Sequence, residues 1–296
     1  AALSGLTPNS LYHFRVKSKD ASNNLATSSD FIFTTAASPP PSTSINIGPA
    51  ELLYTDAQMP FAMDGSFGTL KKASTTMYFF HSLGTDNYKY EGPLNNPLQT
   101  RIWYKTQGVM WNMQGFPGTP WLYNIYKIDS TGKLLGFIHK ENGLGPPFEI
   151  GLGYSTNNGD SWTYLGNIVK PQDINKNPGG VPYLVVGPYF YVYYNEFPTG
   201  GSKRLSVARA LVTDVLKAAG SGTVTPWKKY NSGAWTQDGF TGVGSNIIPE
   251  AATNANYDLH SDAAYNTALN KYMLTVQTHN DGQLLLYLSD DGVNWG

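Results

Sequence analysis

Four carboxylates stand where strand-like segments end or begin, and three of them have a companion suited to chemistry. Asp64 lies in Met63-Asp-Gly-Ser66. His139 and Glu141 close the apolar run Leu134-Leu-Gly-Phe-Ile-His-Lys-Glu141, where a period of two puts Phe137, His139 and Glu141 on one face. Tyr194 and Glu196 close Tyr189-Phe-Tyr-Val-Tyr-Tyr-Asn-Glu196. His260 and Asp262 share a face of Asp258-Leu-His-Ser-Asp-Ala-Ala-Tyr265. His81 ends Met77-Tyr-Phe-Phe-His81, and Arg101 follows Thr100 at the start of another aromatic run. Two carboxyl groups facing each other across a glycosidic bond can act as general acid and as base or nucleophile. Histidines beside them can tune acidity, bind hydroxyls or hold a metal. Each residue also has a plain structural reading. Asp64 can be a turn residue before Gly65, and the others can be solvated strand ends.

The elements that must position these groups are strands. Thr75–His81 is expected to pair with Thr100–Lys105, and Trp121–Ile128 turns through Asp129-Ser-Thr-Gly132 into Leu134–His139. Pro182–Tyr194 and Asp262–Gln277 read as two further pairs. Spacing between the units is about 50–70 residues, the rhythm of a repeat architecture. Leu205, Ala208, Leu211, Val212, Val215, Leu216 and Ala219 follow helical spacing up to Gly220, and a strand running into a short helix fits them equally. Before these units, Tyr12, Phe14 and Val16 alternate with His13, Arg15 and Lys17, and Phe31–Thr35 forms a second strand. The Pro/Ser-rich stretch 37–44 is a semi-rigid linker that separates residues 1–36 from residues 45–296.

Composition removes several classes of function. Among 296 residues, 20 Lys+Arg against 21 Asp+Glu leave a net charge of −1, without the basic footprint of a nucleic-acid binder. There is no cysteine, which excludes disulfides, thiol nucleophiles and Cys-ligated zinc. No apolar run reaches the roughly 18 residues of a membrane span, and Ala1-Ala-Leu-Ser-Gly-Leu6 lacks the basic and apolar regions of a signal peptide. The chain carries no nucleophile elbow, phosphate-binding loop or His-Glu-x-x-His motif. His81, His139 and His260 could hold a metal ion if a channel gathered them; no other cofactor is implied. With 31 Gly, 19 Pro and 20 Tyr against only 14% charged residues, the chain reads as all-β.

Several motifs carry resemblances. Gly5-Leu-Thr-Pro-x-x-x-Tyr12-x-Phe-x-Val16 resembles the last strand pair of a fibronectin type III domain, with Tyr12 at its tyrosine corner. Ser155-Thr-Asn-Asn-Gly159-Asp-Ser-Trp162 resembles the Asp-box of sialidase-type propellers with Asn157 in place of Asp, and Ser289-Asp-Asp-Gly292-Val-Asn-Trp295 is a variant shorter by one. Together with Leu134–Glu141 and His260–Asn266, these make residues 45–296 similar to the five-bladed β-propeller glycoside hydrolases of the arabinanase, xylosidase and fructosidase type. Four blades are clear. A fifth would draw on residues 45–68 closing the ring, or the chain stops short of it.

The resemblance implies a glycosidase acting on oligo- or polysaccharides from the central pocket, with a carbohydrate as its partner. It implies Asp64 as an early base, Glu196 as the acid, and Glu141 or Asp262 as a modulating carboxylate. His81, Arg101, His139, Tyr194 and His260 would then contact substrate. A sialidase would need three arginines in context, which Arg101, Arg204 and Arg209 lack. The fibronectin-like module beside a propeller resembles bacterial secreted carbohydrate enzymes and implies a secreted or cell-surface protein. The alternatives are a non-catalytic carbohydrate-binding or adhesive propeller and a structural repeat domain.

Overall fold

A computed structural model describes residues 6–7, 9–35, 48–49, 55, 66, 68–83, 86–106, 118–249, 257–258, 262–278 and 284–296, with backbone alone at 83, 103–106, 257–258 and 278. The chain divides into two compact units, residues 1–50 and 51–296. In the first, β1 (Leu11–Phe14) pairs antiparallel with β4 (Phe31–Thr34), and β2 (Lys17–Lys19) pairs with β3 (Leu25–Thr27). The alternating segment from Tyr12 breaks at Arg15-Val16 rather than running on as one strand. Tyr12 stacks on Phe33 at 5.7 Å, and its hydroxyl accepts the Thr7 amide at 2.7 Å. Leu11, Val16, Leu25 and Ile32 are exposed. The linker expected at 37–44 lies outside the described residues.

The second unit is a β-propeller arrangement of four blades. Blade 1 is β5 (Gly68–Lys71), β6 (Met77–Leu83), β7 (Asp86–Gly92) and β8 (Thr100–Thr106), paired in that order. The expected pairing of Thr75–His81 with Thr100–Lys105 is therefore corrected. The strand β7 lies between them, with Asn87 and Lys89 buried inside the unit. Blade 2 is β9 (Thr119–Lys127), β10 (Leu134–Glu141), β11 (Glu149–Ser155) and β12 (Thr163–Val169), again in sequence order. Blade 3 is β13 (Tyr183–Val186), β14 (Tyr189–Glu196), β15 (Arg204–Leu211), β16 (Lys228–Asn231) and β17 (Ala234–Asp238). Of the two readings of 205–219, the strand entering a helix is the one formed: β15 leads straight into α1 (Val212–Gly220). In blade 4, β18 (Tyr257–Asp258) and β19 (Ala263–Asn266) pair end to end along one edge of β20 (Lys271–Thr278), while β21 (Leu284–Ser289) pairs with the other. Residues 45–68, expected to complete a fifth blade, lie outside the described residues apart from isolated positions.

Apolar faces are buried between blades. Leu70, Phe80, Leu122, Ile125, Ile138 and Trp162 join blade 1 to blade 2. Trp121, Tyr123, Phe137, Phe190, Val192 and Tyr194 join blade 2 to blade 3. Tyr191, Tyr193, Leu205, Leu274, Val276 and Trp295 join blade 3 to blade 4.

The two Ser/Gly/Trp turns fasten these joints. In the first, the Ser155 hydroxyl accepts the Gly159 amide at 2.9 Å and Asn157 Oδ1 accepts the Ser161 amide at 3.0 Å. Gly159 adopts φ +80°, open chiefly to glycine. Trp162 meets Phe80 of blade 1 edge-on at 6.2 Å. Gly136 leaves room for that indole, which lies 2.9 Å from where a Cβ would sit. In the second turn Ser289 and Asp291 bond the backbone in the same way, and Trp295 meets Tyr193 of blade 3 edge-on. Trp162 is almost fully buried. Trp162→Ala is expected to cost about 3–5 kcal/mol of stability, measured by urea unfolding. A loss below about 1 kcal/mol would mean the turn is not a fastening.

Candidate functional site

The innermost strands β5, β9, β13 and β19 surround a cavity of about 430 Å³, lined by Thr69, Asn124, Tyr126, Tyr183, Asp262 and Tyr265 among others. Such a volume fits a small ligand. Irregular backbone delivers its two most polar side chains. On β9, Leu122 and Ile125 both face blade 1, while Trp121, Tyr123 and Tyr126 face blade 3. Alternation slips by one residue at a bulge, because Ile138 pairs with Leu122 but Phe137 pairs with Asn124. The residue left unpaired at this bulge is Tyr123, and Asn124 follows it in the cavity wall. On the innermost edge of blade 4, Asp262 immediately precedes β19, in the interval after β18.

Asp262 is open to the cavity solvent, yet the walls around it exclude enough water to matter. Loss of solvation raises its carboxyl from 3.8 to about 6, against the opposing hydrogen bonds from the Ala263 amide and the Asn124 side chain. The Ala263 N–H lies 2.8 Å from Asp262 Oδ1. Thr275 of β20 holds the backbone, its hydroxyl accepting the Asp262 amide at 3.2 Å. Tyr183 is stacked on Phe137 at 4.3 Å and donates to the Ile125 carbonyl at 3.0 Å; burial first, then Asp262, keeps its phenol protonated. Tyr265 exposes 46% of its surface and bonds the Asn270 side chain through its hydroxyl. A carboxyl that holds its proton up to about pH 6 can act as a general acid below that pH. Tyrosine faces around it can stack on the C–H faces of a sugar ring.

The other groups singled out from sequence take different places. Glu141 and Glu196 end second strands and His81 lies two residues short of the end of another, beside the starts of β9, β13 and β5, so they lie toward the same mouth as Asp262. They do not line the cavity. On a second strand, alternate side chains enter the joints between blades rather than the channel.

His139 points toward blade 3, where its Nδ1–H donates to the Gly179 carbonyl at 2.8 Å. Its Nε2 lies 3.0 Å from Glu141 Oε1, and with Nδ1 already donating, this contact requires one further proton shared by the pair. Glu196 is completely buried. It accepts from Lys229 Nζ (2.8 Å), the Tyr194 hydroxyl (3.0 Å) and the amides of Gln172, Phe197 and Gly244. Lys229 spends its other two protons on the Lys170 and Gly242 carbonyls, each at 2.7 Å. Burial pushes the Lys229 ammonium down and Glu196 pulls it back up. Every lone pair and proton of this pair is thus engaged in joining blade 3 to its surroundings.

His81 stacks on Tyr88 at 4.6 Å, and burial lowers it to about 4, so it is neutral at ordinary pH. Arg101 is exposed on β8, the last strand of blade 1 and three strands out from the channel. Asp64 and His260 lie outside the described residues. Among the described residues, no three His, Asp or Glu side chains gather as a metal site would require.

Sequence reading missed Thr69, Asn124, Tyr126, Tyr183 and Tyr265 in the cavity wall. For Asn124 there was one signal, an amide inside the apolar run Trp121–Ile128. Its Nδ2 donates to the Val181 carbonyl at 3.0 Å.

No protein-family model matches the chain, and no curated protein matches it. Among solved structures, a family 117 glycoside hydrolase from the marine bacterium Zobellia galactanivorans is similar at 13% identity, over 79% of this chain and 69% of that one, with a TM-score of 0.46. An endo-1,5-alpha-L-arabinanase from Thermotoga petrophila is similar at 9% identity, over 79% of this chain and 54% of that one, with a TM-score of 0.46. A fructofuranosidase from Schwanniomyces occidentalis is similar at 11% identity and a TM-score of 0.42, over 58% of this chain. This chain spans 32% of that fructofuranosidase.

Proposed function

We propose that the channel binds a carbohydrate and hydrolyses its glycosidic bond, with Asp262 as the general acid. The observation that carries this reading is a carboxyl raised to about 6 in a tyrosine-walled cavity at the hub of the blades. Asp262 would protonate the glycosidic oxygen as the bond to the anomeric carbon breaks. Water would then add to that carbon, giving its proton to a second carboxylate. Asp64, expected from sequence as the early base, is proposed for that second role. Glu141 and Glu196 are assigned structural roles, since both are engaged by neighbours within their own blades and neither lines the cavity.

A panel of 4-nitrophenyl glycosides tests the reading. The expected result is turnover of at least one member, declining above pH 6. A second reading, a carbohydrate-binding propeller without catalysis, is favoured by one observation: among the described residues lining the cavity, Asp262 is the sole carboxylate. That reading expects retention on a glycan array and no release of nitrophenol from any member.

A further inference from the structure

We infer that Arg209 and Lys228, on the face of blade 3 turned toward blade 4, form a second binding site that takes the carboxylate of an acidic sugar. That the ligand is an oxyanion rests on the geometry of blade 3. That the oxyanion belongs to a sugar rests on the carbohydrate reading of the channel.

A row of directly paired residues crosses the blade. Tyr191 of β14 stands opposite Arg209 of β15, Arg209 opposite Lys228 of β16, and Lys228 opposite Asp238 of β17. Directly opposite residues share a face of the sheet, and Tyr191 belongs to the core that joins this face to blade 4. Near the start of β14, at the end away from Glu196, the half-buried Arg209 packs its guanidinium against two rings. Its central carbon lies 4.0 Å from the centre of the Tyr189 ring and 4.2 Å from that of Trp235. Trp235 is held in turn by Tyr191 at 4.9 Å and Tyr230 at 5.2 Å. The rings thus fix the directions of the guanidinium N–H groups before a ligand arrives.

A guanidinium has five N–H donors, and here one is engaged: Nη1 donates to the Tyr191 hydroxyl at 3.4 Å. Among the described residues nothing accepts from Nε or Nη2, and neither nitrogen is sealed from solvent. Lys228 is exposed and forms no ion pair among the described residues. Two cations directly opposite each other on neighbouring strands repel. The carboxylates of this face are engaged elsewhere. Asp238 Oδ1 accepts the Phe240 and Thr241 amides. Asp291, on the turn where Gly292 meets the Tyr191 ring, accepts from Ser289, Val293 and Asn294. An oxyanion between Arg209 and Lys228 would relieve the repulsion and fill the free donors. Nε–H and one Nη2–H run parallel, at the spacing of the two oxygens of a carboxylate. None of these residues lines the channel cavity, so the site is separate from it.

The test is titration of the full chain with D-galacturonate, methyl β-D-galactoside and sulfate at one fixed ionic strength, followed by NMR at the Arg209 Nε–H and the Trp235 indole N–H. Galacturonate should shift both resonances, the neutral galactoside neither, and sulfate should bind more weakly than galacturonate. Arg209→Lys keeps the charge and loses the fork. Read at Trp235, it should weaken galacturonate at least about tenfold, the size of one charge-assisted hydrogen bond. Lys228→Gln, at an exposed position that folding does not need, should weaken it about two- to fivefold, the size of an exposed ion pair. Asp262→Asn should bind galacturonate as the wild type does. Unchanged affinity in either folded variant of the pair, or equal shifts with the neutral galactoside, overturns the inference. Sulfate bound as tightly as galacturonate overturns the acidic-sugar assignment. The glycoside panel decides the channel reading separately. Turnover there with no galacturonate shift removes this site alone, and galacturonate binding with no glycoside turned over removes hydrolysis alone.

Discussion

Asp262→Asn is expected to lower kcat/KM by about 10²–10⁴-fold on glycosides with a sugar or alkyl leaving group, the usual contribution of a positioned general acid. Asparagine matches the carboxyl in shape, so binding should change little and the loss should fall mainly on kcat. The loss should shrink with 2,4-dinitrophenyl glycosides, whose leaving group departs without a proton. A uniform loss across leaving groups would point to disturbed binding rather than to a missing proton. The same substitution has a signature in stability. The folded-state value of Asp262, about 6, lies above the ordinary 3.8. The native protein therefore keeps a proton between about pH 4 and pH 6 that the unfolded chain has released. Its stabilising contribution is full below pH 4 and is lost as pH rises through 6. His81 works in the opposite sense: its folded value of about 4 lies below 6.5, so its contribution is lost as pH falls through 4. The difference in Tm between wild type and Asp262→Asn isolates the first effect. It should shift in favour of the variant as pH rises from 4 to 6.

Lys229→Met is expected to destabilise the propeller by about 3–5 kcal/mol, because it leaves the Glu196 charge buried without its partner. Five donors surround Glu196, and the four that remain are neutral. Pairing Lys229→Met with Glu196→Gln should recover part of the loss, since the buried charge goes as well. Urea unfolding of both single variants and the double variant measures this. A single-variant loss under about 1 kcal/mol, the size of a surface pair, would show that the pair does not hold the joint.

Much of the fold could be read because local rules and tertiary packing agree. The hairpins β9–β10 and β13–β14 follow from aromatic and β-branched runs around Asp129–Gly132 and Gly187. Both Trp turns were visible from their Ser/Gly spacing. The strand β7 was missed because it buries Asn87 and Lys89, which a pattern search treats as outward-facing. Lys89 is kept inside by the Asn158 carbonyl (2.8 Å), Asp160 (2.7 Å) and the Tyr78 ring (4.0 Å), partners that only the neighbouring blade and strand supply.

The site was legible only in part, for a related reason. Alternation placed Glu141 and Glu196 at strand ends, where β10 and β14 do end. It could not tell an inner strand, whose ends face the channel, from a second strand, whose ends enter a joint. Asp262 differs from both because it precedes an innermost strand. Asn124 was hidden by the bulge, which breaks the period that sequence reading relies on.

The central claim is that one carboxyl at the hub delivers the proton. The direct measurement is the pH profile of kcat/KM for wild type and Asp262→Asn, on an alkyl glycoside of the sugar the panel identifies. The account predicts a wild-type rate that declines above pH 6 and a residual rate in the variant without that limb. Wild-type-like activity in Asp262→Asn with the same limb in place would contradict it.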